Sequence, residues 1–257
     1  MLLAKPSSGP AAPLSVGASP AEGPRRALKW SAFPLLLVQV LIAVLLFRTF
    51  VAAPFTIPSG SMQPTLEEGD FLLAAKWPYG WSRHSVPFGL PLVNGHLAPA
   101  LPERGDVVIF RHPLSGADYI KRVVGLPGDT VELRDGVLHL NGMTVERERL
   151  AGVIGFASGD DGCQVIGYRE TLPNGSSYAV LDFGSTAQDQ FGPVTVPPGK
   201  LFVLGDNRDQ SADSRFPADE GGAGLVRQGQ LVGRAWLVVS PSRWEWFSLS
   251  SDRASAQ

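Results

Sequence analysis

Residues 105–146 read GDVVIFRHPLSGADYIKRVVGLPGDTVELRDGVLHLNGMTVE, and within them short runs rich in Val, Ile, Leu and Phe are separated by Gly, Pro and Asp. Runs of this length, rich in β-branched residues and bounded by turn formers, predict strands. Leu138 to Glu146 predicts a hairpin, because Asn141-Gly142 accepts the two positive φ angles of a type I′ turn. Working outward, DFLLAAK at 70–76, KLFVLGD at 200–206 and LVGRAWLVVS at 231–240 repeat the pattern, and no long amphipathic helix competes. Gly 29 and Pro 22 suit the same loop-rich, mainly β reading. Residues 147–195 are more weakly patterned, with Gly, Asp and Ser clusters, and predict a looser, small β-rich insertion in the sheet domain.

The chain of 257 residues is long enough for one sizeable domain with an anchor and a tail, or for two small domains sharing a core region. Its net charge of -2, from 22 basic and 24 acidic residues spread along the sequence, forms no concentrated cationic surface, so nucleic acid is not expected as a partner. Cys163 is the only cysteine, which rules out a disulfide within the chain and a multi-cysteine zinc site.

The N-terminal residues 1–28 are rich in Pro, Ala, Ser and Gly and predict a disordered tail. Lys29-Trp30 and SAFPLLLVQVLIAVLLF follow, without a charge until Arg48. A helix of about 20 residues at about 1.5 Å each spans a hydrocarbon core of about 30 Å, so residues 29–50 predict one transmembrane helix with Trp30 at headgroup level. The rival is a cleaved secretory signal ending at Val51-Ala52-Ala53; the long N-terminal region and the tertiary amide of Pro54 argue against cleavage there. Lys5, Arg25, Arg26 and Lys29 precede the span and only Arg48 closely follows it, which predicts a cytoplasmic N-terminus and an outward-facing domain at 54–250.

Three segments mix turn formers with reactive groups: IPSGSMQPTL at 57–66, DYIKRVVGLPGD at 118–129 and GDNRDQSADSR at 205–215. Ser59 and Ser61 of the first are hydroxyls on an irregular Pro/Gly backbone, and a hydroxyl becomes a nucleophile only with a base beside it. His84, His96, His112 and His139 read as ordinary surface or loop histidines. Lys121 remains, placed by strand alternation on the same face as Tyr119 and Val123 with Ile120 opposite. As a base it must be neutral, and burial among apolar side chains can lower a lysine by about 3 to 5 units from about 10.4. The plain alternative is a lysine snorkelling along a sheet face. The third segment reads as a solvated loop or as an Asp-Arg network beside a site; a calcium loop is disfavoured by the missing sixth-position glycine and closing glutamate.

In this order and behind an apolar span, the three segments resemble the sequence boxes of the bacterial type I signal peptidases, from about Phe55 to Trp236. The resemblance implies a membrane-bound serine endopeptidase on a signal-peptidase or repressor-peptidase-like β core, with a core at about 54–135 and 196–250 and an insertion at about 136–195. It implies Ser61 as nucleophile, Lys121 as general base, and Ser59 with the Ser61 N–H as oxyanion hole. Ser211 then orients the lysine amine, Asp213 and Arg215 form a bracing ion pair, and Arg122 and Asp206 have structural roles. Phe55, Ile57, Pro58, Met62, Leu66, Tyr119 and Ile120 line shallow pockets for the small residues of an Ala-X-Ala site. No metal or cofactor is implied. The implied partners are preprotein signal peptides, the lipid bilayer of the bacterial inner membrane and the secretion translocon. Other members often carry two spans before the nucleophile box, where one is evident here, and the paired cysteines in the insertion of some members cannot form with Cys163 alone. A pilin- or conjugation-type maturation peptidase, a self-cleaving repressor-type peptidase and a non-catalytic membrane-tethered β binding module are the alternatives. The repressor type needs a DNA-binding domain where this chain has the span.

Overall fold

A computed structural model describes residues 33–80, 100–156, 164–241 and 245–249. The tail at 1–28, Lys29, Trp30, His84, His96 and Cys163 lie outside the described residues. The chain divides into two units, Met1–Leu41 and Ile42–Gln257.

Helix α1 (Phe33–Phe50) has 18 residues, begins in the first unit and ends in the second. Its large apolar side chains from Phe33 to Phe47 are 38% to 60% exposed, so its apolar surface is unburied. Among the described residues, no helix is long and apolar enough to cross a membrane; the expected span starts four residues before α1, outside them.

The second unit is mainly β, and its strands in chain order are β1 (Ala52–Thr56), β2 (Phe71–Ala75), β3 (Val107–Arg111), β4 (Asp118–Gly125), β5 (Thr130–Arg134), β6 (Val137–Leu140), β7 (Met143–Thr144), β8 (Glu146–Phe156), β9 (Gln164–Thr171), β10 (Ser177–Asp182), β11 (Phe191–Thr195), β12 (Lys200–Leu204), β13 (Val226–Arg227), β14 (Leu231–Ser240) and β15 (Glu245–Ser248). Among the described residues these form a large sheet in the order β1-β2-β14-β3-β4-β12-β13, with β15 beside β14, and two small sheets, β10-β9-β8 and β11-β5-β6-β7. Every recorded strand pairing in them is antiparallel.

The strands β3, β4 and β12 of the large sheet are buried on both faces, which is why they read as continuous apolar runs instead of clean alternation. In β3, Val107 and Ile109 join one apolar cluster with Met62 and Leu66, while Val108 and Phe110 join another with Val203 and Leu231. The period of two is therefore present but hidden, each parity serving a different core. In β4, Ile120 belongs to the first cluster, whereas Tyr119 and Val123 pack in the second, as alternation requires.

The β6–β7 turn has Asn141 at φ 54° and Gly142 at φ 78°, the two positive values that the dipeptide accommodates. Its second strand is shorter than expected, two residues, because Val145 turns into the core and β8 starts a separate sheet. Strand β5 pairs with β6 and β11 and not with the large sheet. The stretch expected to be loose contains all of β8 but its first residue and the 8 residues of β9. Strands β8 and β9 carry charged residues at many positions, and this mixed pattern conceals well-paired strands.

Candidate active site

Ser61 sits in a single 3-10 turn, Gly60–Met62, entered by Ser59 in extended conformation and left by Gln63, also extended. The turn cannot lengthen into an α-helix, because Pro64 follows. Met62 is buried in the sheet-face cluster, and that anchor leaves Ser61 half-exposed at the surface. Lys121 arrives from the middle of β4, paired with Val108 across β3. Its Nζ lies 2.7 Å from Ser61 Oγ and donates to Ile120 O at 3.0 Å. Ser59 Oγ stands 3.4 Å from Ser61 Oγ.

Lys121 is 4% exposed. Burial disfavours its ammonium and lowers its pKa from 10.5 to about 8, against the opposing pull of Asp213 and Asp206, whose negative charges favour the cation. The arrangement is therefore an amine close to neutrality, hydrogen-bonded to a hydroxyl at a cleft. Such a pair can move a proton off the hydroxyl.

The cleft, about 530 Å³, is lined by Ile57, Pro58, Ser59, Gly60, Ser61, Met62, Ala117, Asp118, Tyr119, Ile120, Lys121, Gln210 and Ala212. Five of the seven expected pocket residues are among them: Ile57, Pro58, Met62, Tyr119 and Ile120. Leu66 is not: with no exposed surface it packs in the cluster below, where burying a leucine contributes about 1.5–3 kcal/mol to stability. Phe55 also packs against that cluster, outside the lining. The lining residues missed from the sequence, Gly60, Ala117, Asp118, Gln210 and Ala212, lie within or next to the three reactive segments, so taking each segment whole and extending it by one residue recovers them.

Two buried ion pairs stand behind the dyad. Arg122 holds Asp206 with both forks, Nε to Oδ1 at 2.7 Å and Nη2 to Oδ2 at 2.6 Å, and its guanidinium lies 4.1 Å from the centre of the Tyr178 ring. Arg215 holds Asp213 through Nε at 2.9 Å and Nη2 at 2.9 Å. Fully paired forks keep these charges tolerable in a dry interior. Ser211 differs from expectation: its Oγ is buried without a hydrogen-bond partner, so it makes no bond to the Lys121 amine, which rests on Ile120 O. Gly205 leaves room for that hydroxyl, since a Cβ there would fall 2.2 Å from Ser211 Oγ and 2.5 Å from Ser61 O.

His112 is not a surface or simple loop histidine as expected, being 2% exposed. Its ring stacks on Tyr119 with centroids 4.8 Å apart, Nε2 lies 2.9 Å from Gly222 O, and Ser115 N donates to Nδ1 at 3.1 Å. The carbonyl can only accept a hydrogen bond and the amide N–H can only donate one, so the ring is held as the Nε2–H tautomer. Glu170, in the weakly patterned stretch, was missed altogether. It is fully buried, bonded to Arg208 and to Tyr178 Oη at 3.1 Å, and no local signal connects it to a residue 38 positions away. Among the described residues, no cluster of His, Cys, Asp and Glu could hold a metal ion.

The family model described as signal peptidase, peptidase S26, matches residues 29–240, most of the chain. The chain belongs to this family. A signal peptidase I of Rickettsia typhi is 37% identical over 218 residues, covering 81% of this chain and 79% of that protein. One of Rickettsia massiliae is 40% identical over 229 residues, covering 85% and 81%. A solved signal peptidase I of Enterococcus faecalis shares 32% identity, covers 52% of this chain and 97% of that one, and superposes with a TM-score of 0.33, too low to carry a structural argument. The signal peptidase family match contains all three reactive segments and β1 through β14.

Proposed function

We propose that this signal peptidase removes signal peptides from exported preproteins by acyl transfer, with Ser61 as nucleophile and Lys121 as general base. The observation that carries this reading is the 2.7 Å contact between Lys121 Nζ and Ser61 Oγ in the cleft. With a pKa of about 8 instead of 10.5, about one amine in ten is neutral at pH 7, against about one in three thousand for an unperturbed lysine. Neutral Lys121 accepts the Ser61 proton as Oγ attacks the carbonyl of the last signal-peptide residue. The carbonyl oxygen becomes an oxyanion, received by the Ser61 N–H and the Ser59 hydroxyl, and collapse expels the new amino terminus with the proton held by Lys121. Water then attacks the acyl-enzyme, Lys121 again taking its proton.

The cleft walls support a preference for small residues before the cut, the Ala-X-Ala pattern: Ile57, Met62 and Ile120 are buried or nearly so, and their packing leaves shallow space. We read 1–28 as a cytoplasmic tail, 29–50 as an anchor and 54–250 as the outward-facing peptidase domain, with an insertion at about 136–195. Two features support the bilayer as a partner. Helix α1 leaves its apolar side chains unburied, and Phe71, Trp77, Trp236, Val239 and Trp246 are 38% to 77% exposed on strands β2, β14 and β15 and their flank. Aromatic residues of this kind favour the membrane interface. Retention of the full chain in alkaline-washed membranes tests the anchor.

The test of the activity is cleavage of a purified preprotein. Wild-type enzyme is expected to cut once after Ala-X-Ala, and Ser61→Ala and Lys121→Ala to bind the preprotein without cutting. Cleavage by either variant at the wild-type rate overturns the assignment.

A further inference from the structure

We infer that Asn207 is a positioning residue that aims and strengthens the oxyanion-binding Ser61 N–H; this rests on the proposed role of Ser61. Asn207 is completely buried beside the nucleophile turn. Its Nδ2 donates to Gly60 O at 3.2 Å, and its backbone N–H donates to Ser61 O at 3.2 Å. The peptide unit that carries Gly60 O also carries the Ser61 N–H. A trans peptide is planar with its C=O and N–H pointing in opposite directions. Fixing the carbonyl from the buried side therefore directs the N–H away from Asn207. A donor at the carbonyl also polarises the whole unit, making its N–H a stronger donor, since hydrogen bonds in series reinforce one another.

The orientation of the Asn207 amide is itself determined. Gln210 N donates to Asn207 Oδ1 at 3.3 Å, which requires the oxygen on that side and the NH2 group toward Gly60 O. The Asn207 backbone is held in turn by β10, whose Leu181 N donates to Asp206 O at 2.8 Å and whose Leu181 O accepts from Arg208 N at 3.0 Å. Arg208 is bound to buried Glu170 of β9, and Asp209 accepts from Phe183 N at 2.7 Å and from Thr186 Oγ1 at 3.0 Å. The small sheet thus fixes the 205–209 loop on one side, and Asn207 passes that rigidity to the nucleophile turn on the other. Preorganised donors are effective because they need no rearrangement as charge develops.

Asn207→Ser and the isosteric Asn207→Asp, which replaces the donor by an acceptor facing Gly60 O, test this in the full-length enzyme. Two inhibition constants are measured on each: one for a signal-site peptide boronic acid, whose adduct with Ser61 presents a tetrahedral oxyanion, and one for the same peptide without the boronate. Neither constant depends on the fraction of protein that folds. Boronate affinity is expected to fall by about 10²-fold, the scale of one lost oxyanion donor, with kcat falling in step and the affinity of the unreactive peptide nearly unchanged. Equal losses for both ligands, or no loss for either, overturn the inference. Failure of the underlying reading is distinguishable: a Ser61→Ala enzyme that still cleaves, or a wild-type enzyme that binds the boronate no better than the plain peptide, removes Ser61 from the chemistry whatever Asn207 does.

Discussion

Two buried lysines on the large sheet, Lys121 in β4 and Lys76 just after β2, have nearly the same acidity and different surroundings. Each is 4% exposed and each is lowered from 10.5 to about 8. At Lys121 burial acts against Asp213 and Asp206, while at Lys76 burial and the positive charge of Arg48 act together. Lys121 lies against a hydroxyl, whereas Lys76 donates to Arg48 O at 2.9 Å, near the C-terminal end of α1, where the carbonyls and helix dipole favour a cation. A carbonyl has no proton for a neutral amine to take. A lowered pKa therefore makes a lysine available as a base, but what the nitrogen touches decides whether it is used as one.

The largest expected effect separates the two directly. Lys121→Met should reduce kcat/KM for preprotein cleavage by about 10³-fold or more, while Lys76→Met should change it by less than about threefold. Equal losses would remove the distinction. Next is the pH dependence of acylation in single-turnover experiments. Because the neutral amine is the active form, the rate should rise with pH and level off above about 8. Lys76→Met should leave that midpoint in place. Asp213→Asn removes a charge that favours the Lys121 cation, so its midpoint should move to lower pH; movement to higher pH would contradict the electrostatic account.

Stability gives a smaller effect, and here the two lysines should behave alike. Both amines lose their protons near 8 in the folded chain and near 10.5 in the unfolded one, so the unfolded state binds more protons between those values. Stability should then rise as pH increases through that window. Each Lys→Met variant should remove part of the rise, read as the urea midpoint against pH, and the double variant should remove more. The smallest effect concerns His112, a third buried base, which touches Tyr119 of the cleft wall and neither lysine in any recorded bond. His112→Phe keeps the stacked ring and loses the Gly222 contact, so KM should rise by about two- to fivefold with kcat nearly constant. A shift in the pH midpoint would instead tie His112 to the proton transfer.

The sequence was most readable where local chemistry acts alone. Asn141-Gly142 specified its turn without help from the rest of the chain, and the apolar runs of β3, β4, β12 and β14 specified buried strands by composition. Ser59, Ser61 and Lys121 stood out because none serves its local structure well: two hydroxyls on a Pro/Gly backbone, and an amine among Tyr, Ile and Val; the resemblance, and not the local pattern, singled out Ser61. Leu66 was misplaced because membership of the first reactive segment does not say whether a residue faces the cleft or the core below it. Ser211 was expected to bond the amine, but its buried hydroxyl makes no hydrogen bond there, and its place in the third segment gave no sign of this. The buried residues Glu170, His112 and Asn207 were hidden because each has a partner distant in sequence, Arg208, Gly222 O and Gly60 O, while β8 and β9 were hidden by the charged residues interspersed in them.

The central claim is that burial outweighs the two neighbouring carboxylates at Lys121 and so keeps a working fraction of its amine neutral near neutral pH. Titration of its ¹³Cε resonance in lysine-labelled enzyme, assigned by comparison with Lys121→Met and with Lys76→Met resolving the second lowered lysine, measures this without substrate. A midpoint near 8 is predicted. A midpoint at the ordinary value of 10.5 would mean that Lys121 is an ammonium when the enzyme works and cannot take the Ser61 proton.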